Sequence, residues 1–143
     1  MRLATFTDYG LRVLMRLADK PDAVLTTSGI AQELQIPYNH LTKVVQDLAK
    51  GGYIRTQRGA GGGIRLARTP QSITLGDVVR CLEQRHAVVE CFRSDGGICL
   101  LTPSCRFKLK LSAAQVAFMS ELDKTSLAEC ALPAPQVGGH GKS

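Results

Sequence analysis

Residues 38–68, YNHLTKVVQDLAKGGYIRTQRGAGGGIRLAR, decide the fold. Leu41, Val44, Val45 and Leu48 recur at helical spacing, which predicts a helix over about Tyr38–Lys50 with one apolar face. Gly51-Gly52 ends it as a left-handed cap would. Beyond the cap, residues 53–58 (YIRTQR) and 64–67 (IRLA) read as two short strands around a glycine-rich turn at 59–63, a hairpin. The glycine run could suggest a phosphate-binding loop. No GK[ST] follows it, however, and it precedes a strand instead of opening a helix, so that reading is rejected.

On the N-terminal side, Leu11, Leu14, Met15 and Ala18 fall at helical spacing between Thr7, read as the N-cap, and Pro21. A short extended piece, Val24-Leu25-Thr26, leads into a second helix from about Thr27, with Ile30, Ala31 and Leu34 inward. Gln35-Ile36-Pro37 breaks it before the helix at Tyr38. Helix, helix, turn, helix, hairpin is the order of a winged helix-turn-helix domain. On the C-terminal side, Thr74-Leu75-Gly76-Asp77 gives a capping-box-like start to a fourth helix running to about Glu83.

From about Arg85 to Ser104 the periodicity is lost, and three cysteines, Cys91, Cys99 and Cys105, are spaced C-x7-C-x5-C. A long helix then starts near Cys105, with Phe107, Leu111, Ala114, Phe118 and Leu122 in one apolar stripe. A short turn is expected at Ser126–Cys130, and the tail ALPAPQVGGHGKS reads as disordered. The fold class is therefore mainly α with a small β-hairpin wing. Its expected parts are a winged helix-turn-helix domain with connecting helix at 1–83, a cysteine-bearing loop at 84–104, a long-helix region at 105–130 and the tail at 131–143.

The charge is uneven. The 143 residues carry a net charge of +6; residues 1–70 hold ten Lys/Arg against five Asp/Glu, and residues 71–143 hold eight against seven. The positive field thus belongs to the half that looks built for DNA. There is neither a run of 18 apolar residues nor a signal-peptide pattern, so no membrane association is expected and a cytoplasmic location is. In that reducing setting five cysteines point to metal or redox chemistry rather than to a disulfide framework.

In a helix-turn-helix the second helix of the motif enters the major groove. Its outward residues here are Tyr38, Asn39, His40, Thr42, Lys43, Gln46 and Lys50. Asn39 and His40 can offer donors and acceptors to base edges, and Lys43 can reach a guanine edge or a phosphate. A solvated polar face would look the same, and the hairpin tips the balance. It carries Arg55, Arg58, Arg65 and Arg68, and an arginine at a hairpin tip suits the minor groove, with Arg58 the best placed.

For the cysteines three readings compete. Structural zinc sites usually show close Cys pairs, absent here. Buried apolar cysteines suit Cys81 and Cys130 better than the loop trio. An iron–sulfur cluster accepts soft thiolates at loose spacing.

Taken together, FTDYGLRVLMRLA, HLTKVVQDLAKGGYI, RGAGGGIRLA, GDVVRCLE and TPSCRFKLKLSAAQVAFMSELDKTSLAE resemble the NsrR-type nitric-oxide-sensing repressors, relatives of the IscR-type iron–sulfur regulators. The resemblance spans about residues 1–130. It implies a homodimeric winged-helix repressor of double-stranded operator DNA, with its long C-terminal helices packed together. It also implies a cluster of 4Fe–4S type, with 2Fe–2S the alternative, ligated by Cys91, Cys99 and Cys105 and by Asp8 of the partner subunit. The Cys91–Cys99 gap is longer than the x5 common in relatives. IscR-type proteins place a histidine shortly after the third cysteine, and Cys105-Arg106-Phe107-Lys108 has none. Locally, Asp8 can also be explained as a first-turn carboxylate paired with Arg12. The rival functions are a 2Fe–2S regulator of redox or iron–sulfur status, a cluster-free thiol-based regulator, and a cluster carrier. No constellation among His40, His86 and His140 or elsewhere reads as an enzyme site.

Overall fold

The structure, a computed structural model, describes residues 2–84, 92–93, 100–101, 104–133 and 135. Cys91 and Cys99, most of the cysteine-bearing loop and most of the tail lie outside the described residues. The elements run α1 (Thr5–Asp19), α2 (Thr27–Leu34), α3 (Tyr38–Lys50), β1 (Ile54–Gln57), β2 (Gly63–Leu66), a 3-10 turn at Pro70–Ser72, α4 (Leu75–Leu82), α5 (Arg106–Leu122) and a 3-10 turn at Leu127–Cys130. Mainly helical with one hairpin, this is the expected winged helix-turn-helix.

The core gathers around α1. Val13, Leu14 and Leu17 of α1 meet Ile30 of α2, Leu41, Val44 and Leu48 of α3, and Val78 and Leu82 of α4, all at most 4% exposed. Burying each such side chain contributes about 1.5–3 kcal/mol. Of the four residues at helical spacing, Leu14 and Ala18 are buried and Leu11 and Met15 half-buried, while Val13 and Leu17 are buried as well. The reason is that α3, α4, the hairpin and the C-terminal 3-10 turn all pack on α1, so its buried surface is far wider than one stripe.

Thr7 is not the N-cap. Ala4 holds that position without a side-chain cap bond, and Thr7 is fully buried within the first turn of the helix. Thr26 caps α2 instead, its hydroxyl accepting from Gly29 N–H at 3.0 Å. The expected α3 is matched residue for residue, and Gly52 takes the left-handed conformation that turns the chain into the hairpin. In that hairpin Ile54 faces Leu66, Arg55 faces Arg65 and Thr56 faces Ile64. Leu25 adds a bridge on the other side of Ile64, so the short extended piece at Val24–Thr26 forms a third rung of the wing.

The capping box at α4 forms as expected, with Asp77 N–H donating to the Thr74 hydroxyl at 3.1 Å. Chain return after α5 was the less visible feature. Asp123 closes a two-pronged ion pair with Arg80 of α4, at 2.8 and 2.6 Å. Leu127 then plugs the core at 0% exposure, its N–H donating to Ile73 O, and Leu132 N–H donates to Met15 O on α1. By contrast α5 itself has no buried residue along its 17 positions.

Candidate functional site

α3 presents its polar face to solvent because its apolar positions are all consumed by the core. Tyr38, Asn39, His40, Lys43, Gln46 and Lys50 are exposed, and residues 39, 43, 46 and 50 follow one another along a single side of the helix. Tyr38 is 53% exposed at the N-terminal end, where a major-groove helix points at base edges. His40 is not wholly free: its ring stacks beside Tyr9 of α1, centroids 6.3 Å apart. That contact, between residues far apart in sequence, had no local signal.

The hairpin is fixed to the end of α3. Tyr53 N–H donates to Leu48 O at 2.9 Å, and Arg68 donates to the carbonyls of Gly52 and Gly51 at 3.2 and 3.3 Å. The Arg68 guanidinium also lies 4.3 Å above the Tyr53 ring. Arg68 is thus a strut of the wing. Arg55 and Arg58 are exposed and Arg65 half-exposed, with no hydrogen bond or ion pair to any described residue. Gly59 and Gly61 adopt positive φ at the tip, the turn that carries Arg58 to the extremity of the wing.

At the other end of α1, Asp8 accepts from Arg12 Nη2 at 2.7 Å and from Nε at 3.2 Å. Both side chains are about half exposed. Such an exposed pair contributes at most about 1 kcal/mol, so the carboxylate is easily exchanged to a stronger partner. Just before α1, Ala4 N–H donates to Glu83 Oε1 at 2.8 Å, tying the start of the helix to the residue that ends α4. Two residues later the chain enters the cysteine segment.

Cys105 is the one cysteine of the trio within the described residues. It is half-buried, stands immediately before α5, and carries a free thiol that makes no capping bond. Among the described residues no group of three or more His, Cys, Asp or Glu side chains is gathered for a metal. Cys81 and Cys130 are half-buried too, which fits the apolar role expected of them. Burial pushes the Cys81 thiol up from its ordinary pKa, with the Asp47 charge adding to the shift.

The Rrf2 family, described as "Iron-dependent Transcriptional regulator", matches residues 3–131. The chain belongs to the Rrf2 family. Rrf2 relatives called HTH-type transcriptional regulator NsrR are 42% identical in Bacillus subtilis, over 89% of this chain and 88% of that one. The NsrR of Geobacillus kaustophilus is 44% identical, over 90% and 88%. Among solved structures, CymR of B. subtilis, the global cysteine regulator, superposes with a TM-score of 0.72 at 27% identity, covering 92% of this chain and 96% of that one. T. potens IscR shares the fold, with a TM-score of 0.72 at 24% identity over 90% and 85%. Membership of Rrf2 makes this chain a DNA-binding transcriptional regulator and not an enzyme. No helix among the described residues is long and apolar enough to cross a membrane.

Proposed function

We propose that the chain acts in the cytoplasm as a homodimeric repressor that senses nitric oxide through an iron–sulfur cluster of 4Fe–4S type. The observation that carries this reading is the placement of α1. It holds Asp8 in its first turn, packs against α3 and is joined to α2 by a partly buried ion pair from Arg16 to Glu33. An event at Asp8 is therefore mechanically close to the DNA-reading helix.

The donor chemistry fits the group. Cys105 offers an uncommitted, half-buried thiol, and Asp8 a carboxylate held only by an exposed partner. With Cys91 and Cys99 as the remaining thiolates and Asp8 supplied by the partner subunit, the ligand set is three sulfurs and one oxygen. When bound, such a cluster supplies an iron that nitric oxide can attack at the weaker, oxygen-ligated position.

The chain's own part is to hold and release a geometry. Tyr38, Asn39, His40, Lys43 and Gln46 read the major groove, while Arg58 and Arg65 of the wing reach the minor groove and backbone. Dimer formation is supported by α5. Phe107, Leu109 and Val116 are 63%, 72% and 63% exposed on a helix none of whose residues is fully buried. A repressor dimer reads two half-sites one helical turn apart, so a small rotation of α1 with α2 and α3 takes the two reading helices out of register.

The test is anaerobic purification with optical and Mössbauer spectroscopy, followed by nitric oxide titration during DNA binding. The expected result is a cluster spectrum together with tight binding that nitric oxide abolishes. Asp8→Ala should retain the chromophore but lose the coupling between nitric oxide and DNA affinity. Affinity unchanged by nitric oxide in the wild type overturns the reading and leaves a 2Fe–2S regulator of redox or iron–sulfur status, or a cluster-free thiol-based regulator.

A further inference from the structure

Of the four arginines on the wing, two are set against each other. Arg55 and Arg65 are direct cross-strand partners in the β1–β2 register. Ile54 and Leu66, and likewise Ile64, turn to the core, so the alternation of the strand sends both guanidinium stems to the outer face. Like charges directly opposite one another destabilise a two-stranded hairpin. Elsewhere in the chain arginines are paired with carboxylates, Arg80 with Asp123 and Arg16 with Glu33. Here no described residue supplies one.

The two arginines also border a recess of about 380 Å³, whose rim includes Asp22, Arg68, Thr69 and Gln71. Asp22 forms no ion pair with any described residue. Three arginines against one carboxylate leave the recess strongly cationic. One wall is tied to the end of α3, because Arg68 is bonded to the carbonyls that follow that helix. A hairpin that tolerates this repulsion unrelieved is built to meet an anion, and it is fastened to the recognition helix.

We infer that Arg55 and Arg65 form a phosphate clamp, in which a DNA backbone phosphate sits between the two guanidinium groups and supplies the missing counter-charge. The inference rests on the chain being a DNA-binding regulator. It assigns Arg55 a contact and separates the roles of the wing arginines: Arg58 probes the groove at the tip, Arg68 braces the hairpin, and the opposed pair grips the backbone. The clamp carries no sequence information; it fixes the position of the wing on the duplex.

The test measures affinity of the full-length protein for a mixed-sequence DNA duplex by fluorescence anisotropy, across about 50 to 200 mM salt. Each lost phosphate contact lowers the slope of log K against log salt by about one. Arg55→Gln with Arg65→Gln is expected to flatten the slope by about one to two per bound subunit. Lys110→Gln on α5, which changes charge away from the wing, should leave the slope unchanged, and Arg55→Lys should keep most of it. Thermal melting without DNA should show Arg65→Gln as stable as the wild type or more so, because repulsion is removed; a lower melting point overturns the opposed-charge argument. Equal slopes for the double variant and the wild type overturn the clamp while leaving the regulator reading intact. Wild-type protein that binds no duplex overturns the regulator reading itself. If inorganic phosphate raises the melting temperature of wild type but not of the double variant, with equal DNA slopes, the recess binds a free anion and the clamp is overturned.

Discussion

Arg16 of α1 reaches across to Glu33 of α2, Nε at 2.7 Å and Nη2 at 3.4 Å from the carboxylate, and so joins the first helix to the one that precedes α3. Arg16 is 7% exposed and its Nη1 has no hydrogen-bond partner among the described residues, while Asp19 stands 4.0 Å away. The guanidinium therefore depends on Glu33. Glu33→Gln is expected to destabilise the fold by about 1–3 kcal/mol, less than for a fully buried pair because the carboxylate is about one-third exposed. Replacing both partners, Arg16→Met with Glu33→Leu, should cost less than Glu33→Gln alone. Urea midpoints at constant slope measure both, and equal midpoints for wild type and Glu33→Gln would count against the pair.

Thr7 carries a buried hydroxyl with no partner among the described residues. Thr7→Val keeps the shape and removes the stranded polar atom, so stability should rise by about 1 kcal/mol. Thermal melting would show it, and a fall would mean that the hydroxyl is bonded after all.

Gly76 lies where α4 meets the end of α5. A Cβ there would overlap the Asp123 carboxylate, displacing it from Arg80. Alanine also favours helix by up to about 1 kcal/mol, so the net change in stability is small. The decisive readout is a double-mutant cycle: Asp123→Asn should destabilise the wild type but not Gly76→Ala.

The same pair sets a pH dependence. The hydrogen bond from Arg80 holds the Asp123 carboxyl below the ordinary aspartate range. A depressed folded pKa adds stability above the unfolded value and loses it as pH falls through the folded one. The difference between wild type and Asp123→Asn should therefore be full at neutral pH and vanish below the ordinary aspartate range. Denaturant melts across acidic pH check this, and a difference that persists there refutes it.

Leu127→Ala should be the costliest single change on the C-terminal side, about 2–5 kcal/mol, since a fully buried leucine leaves a cavity beneath α1. Urea denaturation measures it. A cost under about 1 kcal/mol would show the 3-10 turn to be loosely held.

Local chemistry made some elements legible and left others dark. α3 could be read because its four apolar positions and terminal glycines agree, and the hairpin because glycines bracket β-prone runs. The face of α1 was legible only in part, through Leu14 and Ala18, since a helix packed on several sides loses the single stripe that periodicity detects. Leu127 is one leucine in a short turn, without any repeat to announce it. The face of α3 was readable as polar, but its His40–Tyr9 stacking was not. Nor could composition separate the braced Arg68 from the unrelieved Arg55 and Arg65, because that distinction arises from strand register and from carbonyls at Gly51 and Gly52. For α5, the apolar stripe could equally have been an internal core; Phe107 and Ala114 are in fact exposed and Leu111, Phe118 and Leu122 half-buried.

The stretch of chain that leaves at Glu83 and comes back at Leu132 starts and finishes on the same helix, at Ala4 and at Met15 of α1. Those two attachment points are about 16 Å apart along the helix axis. The start of α1 is thus bonded to the end of α4, and its middle to the chain that follows the C-terminal 3-10 turn, so one helix carries the closing bonds of both.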